Sequence, residues 1–129
     1  MKLKIYQIDA FTENIFGGNP AAVCPLEKWL PDETLQKIAM ENNLAETAYY
    51  VKKEVTYEIR WFTPTVEVDL CGHATLATAY VLYNYQGHTG NEIQFMSPRS
   101  GKLTVTKNKE LLTLNFPSET LEKINISED

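Results

Sequence analysis

The chain has 129 residues, enough for one domain with a core of its own. Its 43% hydrophobic and 22% charged content is ordinary for a soluble globular protein, and a net charge of −5 leaves no basic excess to engage nucleic-acid phosphates. No apolar run is long enough to span a membrane, the start of the chain carries no secretory pattern, and Cys24 and Cys71 do not make a disulfide framework, so the expected setting is the cytoplasm with neither membrane nor nucleic acid as partner.

In chain order, residues 3–10 alternate loosely and predict a first strand, and residues 11–19 a loop rich in Asn and Gly. Gly17-Gly18-Asn19-Pro20 is a strong turn signal, and since no helical pattern follows it, it does not read as a phosphate loop. Residues 21–24 predict a short strand stopped by Pro25. Leu30-Pro31-Asp32-Glu33 opens a helix, with Pro and acids in the first turn, an apolar stripe of Leu35, Ile38 and Ala39, and Asn42-Asn43 as its stop. Residues 46–52 predict a strand. Residues 55–63 give the clearest one, with Tyr57, Ile59 and Trp61 on one face and Glu58, Arg60 and Phe62 on the other. A short strand over 66–70 leads into a helix from about Gly72. After a loop over 84–91, strands at 92–96, 102–107 and 111–116 predict an antiparallel meander, with Leu103 and Val105 inward. Residues 1–117 read as the domain, and 118–129 as a polar, acidic tail or linker.

The chain is organised around Asp69-Leu70-Cys71-Gly72-His73-Ala74-Thr75-Leu76-Ala77-Thr78-Ala79-Tyr80-Val81-Leu82-Tyr83. The apolar residues of its helix keep to no single stripe, the pattern of a helix buried on all sides. Ala74, Ala77 and Ala79 allow close approach of the surrounding backbone. The fold class is therefore α+β: a curved, largely antiparallel or mixed sheet wrapped around a central helix, with the other helix outside. At the start of that helix, Cys71, Gly72 and His73 stand where N–H groups lack intrahelical partners and the positive dipole end suits an anion.

Three groups have chemistry to offer, each with a plainer reading beside it. Glu46 is a strand-end charge facing solvent, or a carboxyl held in apolar surroundings as a general acid/base. Cys71 is a buried small residue, or a thiol acidified by the helix N-terminus that could serve proton transfer with His73. His73 is otherwise a capping or core imidazole, and residues two apart at a helix start need not face each other, which weakens a nucleophilic Cys/His pair. Glu67, Asp69, Cys71 and His73 match no standard zinc spacing, so no metal is expected. His88, between Gly87 and Gly90, reads as a loop residue.

Three blocks, in order, carry a resemblance. They are Gln7-Ile8-Asp9-Ala10-Phe11-Thr12 with Gly18-Asn19-Pro20-Ala21-Ala22-Val23; Asn43-Leu44-Ala45-Glu46-Thr47-Ala48; and Arg60-Trp61-Phe62-Thr63-Pro64 running to Asp69-Leu70-Cys71-Gly72-His73-Ala74-Thr75-Leu76-Ala77. Together they resemble the phenazine-biosynthesis PhzF-like family, to about Pro117. The resemblance implies one half of a diaminopimelate-epimerase-like two-domain fold, with two central helices pointing their N-termini into a shared cleft. It implies isomerase chemistry, proton transfer on a small anionic metabolite without metal or organic cofactor. Glu46 would be the acid/base, with Gly72 and His73 lining the substrate site. Cys71 stands where the related epimerases keep a catalytic cysteine. The family's second domain, with its acidic partner residue, does not follow in this chain. The expected completion is a second PhzF-like domain from a longer protein, or a homodimer. The other reading, from a different class, is a non-catalytic small-molecule-binding or self-associating domain that keeps the fold.

Overall fold

The computed structural model describes residues 3–8, 20–109, 111–115 and the backbone of 123–125. The predicted loop over 11–19 lies outside them, as do Asp9 and Ala10 of the first predicted strand. The elements are β1 (Tyr6–Ile8), β2 (Ala21–Leu26), α1 (Asp32–Asn42), β3 (Glu46–Lys52), β4 (Tyr57–Phe62), β5 (Glu67–Val68), α2 (Gly72–Tyr85), β6 (Glu92–Ser97), β7 (Gly101–Asn108), β8 (Leu111–Asn115) and β9 (Lys123–Asn125).

The strands form one sheet in the order β1-β2-β3-β4-β6-β7-β8-β9, with β5 also on β4. It is mixed: β2 with β3 and β4 with β6 run parallel, and the other pairs antiparallel. α2 packs against β2 and β3 on one side and β8 on the other, although these lie far apart in the strand order. One straight helix can meet both only if the sheet curls around it into a half-barrel.

Two cores result. Inside the curl, Ala74, Leu76, Ala77, Ala79, Val81 and Leu82 of α2 are buried among Ala48, Tyr50, Ile59, Trp61, Phe95 and Leu114 of the strands. Outside it, Leu35 and Ala39 of α1 pack with Tyr49, Val51 and Phe62. This explains the near-continuous apolar run of β3, whose two faces are both covered. Two of the polar groups drawn in are satisfied locally: Tyr49 Oη donates to the Leu35 carbonyl at 2.7 Å, and Thr78 Oγ1 to the Ala74 carbonyl at 2.8 Å.

α1 begins and ends where its signals stand. The Pro31 carbonyl accepts from Thr34 and Leu35 N–H at 2.9 and 3.1 Å. Asn43 closes the helix at φ 54°, its N–H on the Ala39 carbonyl. Asn tolerates this left-handed geometry better than most residues. Asn43→Ala is expected to cost about 1 kcal/mol in urea unfolding, and Asn43→Gly no more than a few tenths.

Several boundaries differ from expectation, each for a physical reason. Pro25 does not stop β2, which continues to Leu26. β1 pairs only with Ala21, Ala22 and Val23, so the missing N–H of Pro25 falls on an edge without a ladder bond to lose among the described residues. β5 keeps two residues of the predicted five, because β4 offers it only Trp61 and Phe62 as partners. α2 runs two residues into the predicted loop. Beyond the predicted meander, Lys123–Asn125 pair antiparallel with β8 as β9.

Candidate functional site

Glu46 opens β3, and the alternation that turns Ala48 and Tyr50 inward gives it the same face, toward α2. Cys71 is the N-cap of α2 in extended conformation, φ −141° and ψ 105°. Its carbonyl accepts from the backbone N–H and the hydroxyl of Thr75, at 3.1 and 2.7 Å. Gly72 and His73 form the first turn and are half-buried. The mouth of the curl at this end thus collects Glu46 from a strand and Cys71, Gly72 and His73 from the buried helix.

The structure brings Glu46 and Cys71 together. The thiol is pushed up to about 11, first by burial; the backbone N–H groups of Ala74 and His73 pull it down, and the Glu46 carboxylate beside it pushes it up again. The expectation of an acidified thiol is therefore corrected. The helix N-terminus does act on Cys71, but desolvation and an adjacent carboxylate outweigh it. At neutral pH the group is a thiol, not a thiolate.

Two polar atoms here stand out. Glu46 Oε1 and His73 Nε2 are both buried without a hydrogen-bond partner among the described residues. A buried polar group left unpaired costs about 1–3 kcal/mol, and native proteins keep few of them. Groups left open in this way are those a bound ligand or an enclosed water would satisfy.

The other acids near the site are committed elsewhere. Arg60 holds Glu67 in a two-pronged pair, Nε to Oε2 and Nη2 to Oε1, both at 2.8 Å. Arg99 Nη1 donates to Asp69 Oδ1 at 2.9 Å. Among the described residues no group of three or more His, Cys, Asp or Glu stands close enough to hold a metal ion. His88 sits in the loop after α2, one ring nitrogen 3.2 Å from Tyr57 Oη and the other 3.1 Å from the Glu92 carbonyl, away from the site. No helix among the described residues is long and apolar enough to cross a membrane.

Residues 8–129 match the family of phenazine biosynthesis-like proteins. The chain belongs to that family. An uncharacterized isomerase of Pseudomonas aeruginosa is 53% identical over 122 residues, 95% of this chain and 47% of its own length. The human phenazine biosynthesis-like domain-containing protein is 44% identical over 125 residues, 91% of this chain and 43% of its own. Among solved structures, a PhzF-family phenazine biosynthesis protein of Enterococcus faecalis is similar with a TM-score of 0.84 at 55% identity, covering 89% of this chain and 44% of that one. A predicted epimerase of Pseudomonas aeruginosa, at 21% identity and TM-score 0.70, shares the fold. The chain spans about half the length of the curated relatives it matches. As a PhzF-like chain it carries the N-terminal half of that architecture.

The raised thiol has a direct readout. At pH 8, alkylation of native Cys71 by iodoacetamide is expected to run roughly a hundredfold slower than for an unperturbed thiol, because two pKa units remove that share of thiolate. Cys24, fully enclosed and also raised to about 11, is the control. Both shifts also bear on stability. A thiol whose pKa is higher folded than unfolded contributes stability in full below pH 9, and that contribution is lost between pH 9 and about 11. Thermal melting at pH 8 and pH 10.5 should show the lower midpoint at the higher pH.

Proposed function

We propose that this chain is the N-terminal half of a cofactor-independent, PhzF-like isomerase of the cytoplasm that moves a proton on a small anionic metabolite. Glu46 is the acid/base: its carboxylate takes a proton from a substrate carbon, becomes a carboxylic acid, and returns a proton to another position of the same substrate. Gly72 and His73 line the substrate site at the positive end of α2, which suits the negative charge of the substrate and of the carbanion formed. Cys71 contributes shape and polarity rather than a thiolate. The observation that carries this reading is the meeting of Glu46 with Cys71 at the start of a buried helix, where His73 Nε2 is buried without a hydrogen-bond partner among the described residues.

A second half completes the site, either a PhzF-like domain or a second copy of this chain. Val66 and Leu70, beside β5 and the helix start, are exposed large apolar residues of the kind a partner covers. In a two-fold homodimer both halves would bring Glu46, and the pair would lack the second domain's acid; this form would bind but turn over poorly.

The test is exchange of substrate C–H for C–D in D₂O, followed by proton NMR across a panel of small carboxylates. It is run on the chain alone and on the chain joined to a C-terminal half from a relative. Exchange by the joined protein and little by the chain alone is the expected result. Binding without exchange in both forms would favour the non-catalytic domain, and neither binding nor exchange would overturn the proposal.

A further inference from the structure

One buried group at this end has no role in that scheme. Trp61 is 1% exposed, and its Nε1–H has no hydrogen-bond partner among the described residues. The other tryptophan, Trp29, donates to Glu58 Oε1 at 2.6 Å. An indole N–H can only donate, and leaving it unpaired in a core costs about 1–3 kcal/mol. With the residue enclosed, no ligand arriving from the cleft touches this N–H directly. Its partner is internal.

The register says where to look. On β4, Trp61 lies across from Ala48 of β3 on one side and Val68 of β5 on the other. It shares the inner core with Ala48, Ala74 and Ala77, and Cys71 packs against the same cluster. Glu46, two residues before Ala48, shares that face and is the diagonal neighbour of Trp61 across the strand pair. Such diagonals lie within reach of aromatic and long side chains. A donor without an acceptor is thus carried diagonally across the strand pair from Glu46, whose Oε1 is an acceptor without a donor. Buried polar atoms in this relation are commonly joined by one enclosed water.

We infer that a buried water links Trp61 Nε1–H to Glu46 Oε1, and that Trp61 is a positioning residue for the Glu46 carboxyl. The water accepts from the indole and donates to Oε1. Oε1 is thereby held as an acceptor, and the travelling proton is assigned to Oε2. The catalytic consequence rests on Glu46 being the acid/base, but the contact does not, and the experiment reads the contact alone.

The ¹⁵N-labelled chain should give two indole N–H cross-peaks, with Trp29 as the internal reference. The Trp61 proton is expected to show a cross-relaxation peak to water. Glu46→Ala removes the acceptor and should move the Trp61 peak while the Trp29 peak stays; Glu46→Gln, which keeps the volume, should move it in the same direction by less. Glu58→Gln should move only Trp29. A Trp61 peak unmoved by either Glu46 change overturns the inference. So does one that moves instead in Ser100→Ala, since Ser100 Oγ is another buried, unpartnered oxygen.

Discussion

Glu46→Gln is expected to lower the exchange rate of the completed enzyme by about 10²–10⁴-fold, the range a general acid/base typically supplies. The amide keeps the volume of the carboxyl and leaves β3 intact, so KM and the melting temperature should hardly move. The change removes only the ability to take up and release a proton. Cys71→Ala should cost far less, because a thiol raised to about 11 offers almost no thiolate at neutral pH. The contrast separates two roles that sit side by side. Turnover unchanged in Glu46→Gln, or a larger loss in Cys71→Ala, would move the acid/base assignment away from Glu46. The measurement is deuterium wash-in under saturating substrate, with a melting curve for each variant.

How much of this was legible beforehand differs from residue to residue. β3 was readable because the apolar stretch Ala48-Tyr49-Tyr50-Val51 stops at a pair of lysines, and both faces of the strand are buried. The central helix was readable because its apolar residues share no stripe, and only enclosure on every side satisfies that pattern. Phe62 on the polar side of β4 was the trace of α1, which covers the outer face. Pro25 misled because a proline's tolerance depends on whether its edge has a neighbour, and pairing is not local information. The parallel neighbours of β2 and β4 were hidden for the same reason. Of the site, Glu46, Cys71, Gly72 and His73 were named from motif and resemblance. The sign of the Cys71 shift was not readable. The sequence shows the helix start that lowers a thiol's pKa; only the packed structure shows the burial and the carboxylate that raise it. Trp61 looked like any core aromatic, since an unpaired N–H leaves no mark in composition or periodicity.

Nor did spacing announce the pair that holds the site from behind, and it carries the second large effect. Glu67→Ala is expected to destabilise the fold by about 2–3 kcal/mol. Arg60 and Glu67 side chains are each only 14% exposed. Arg60 also meets Asp32 at 3.0 Å and lies over the rings of Trp29 and Phe62, 5.5 and 5.3 Å from their centroids. Breaking an enclosed pair by removing one partner typically costs about 3–5 kcal/mol, because the other charge stays behind. Here Asp32 remains as a weaker, mostly exposed partner, which lowers the figure. Glu67 also anchors half of β5, since that strand has only two residues and two partners on β4. Arg99 steadies the same segment from the turn between β6 and β7, through the Glu67 carbonyl at 3.3 Å and Asp69 at 2.9 Å. Four residues after Glu67 comes the cap of α2. Loosening β5 should therefore open the site as well as weaken the fold, and Cys71 should alkylate faster in Glu67→Ala than in the parent while Cys24 stays protected. Arg99→Ala, removing a half-exposed ion pair, should cost under about 1 kcal/mol and give a smaller rise in the same rate. Urea unfolding gives the first quantity, and mass spectrometry of the alkylated native chain gives the second. If Glu67→Ala lowers stability while Cys71 and Cys24 gain reactivity together, β5 is a structural strand like the others. A rise confined to Cys71 would identify it as the support of the helix start.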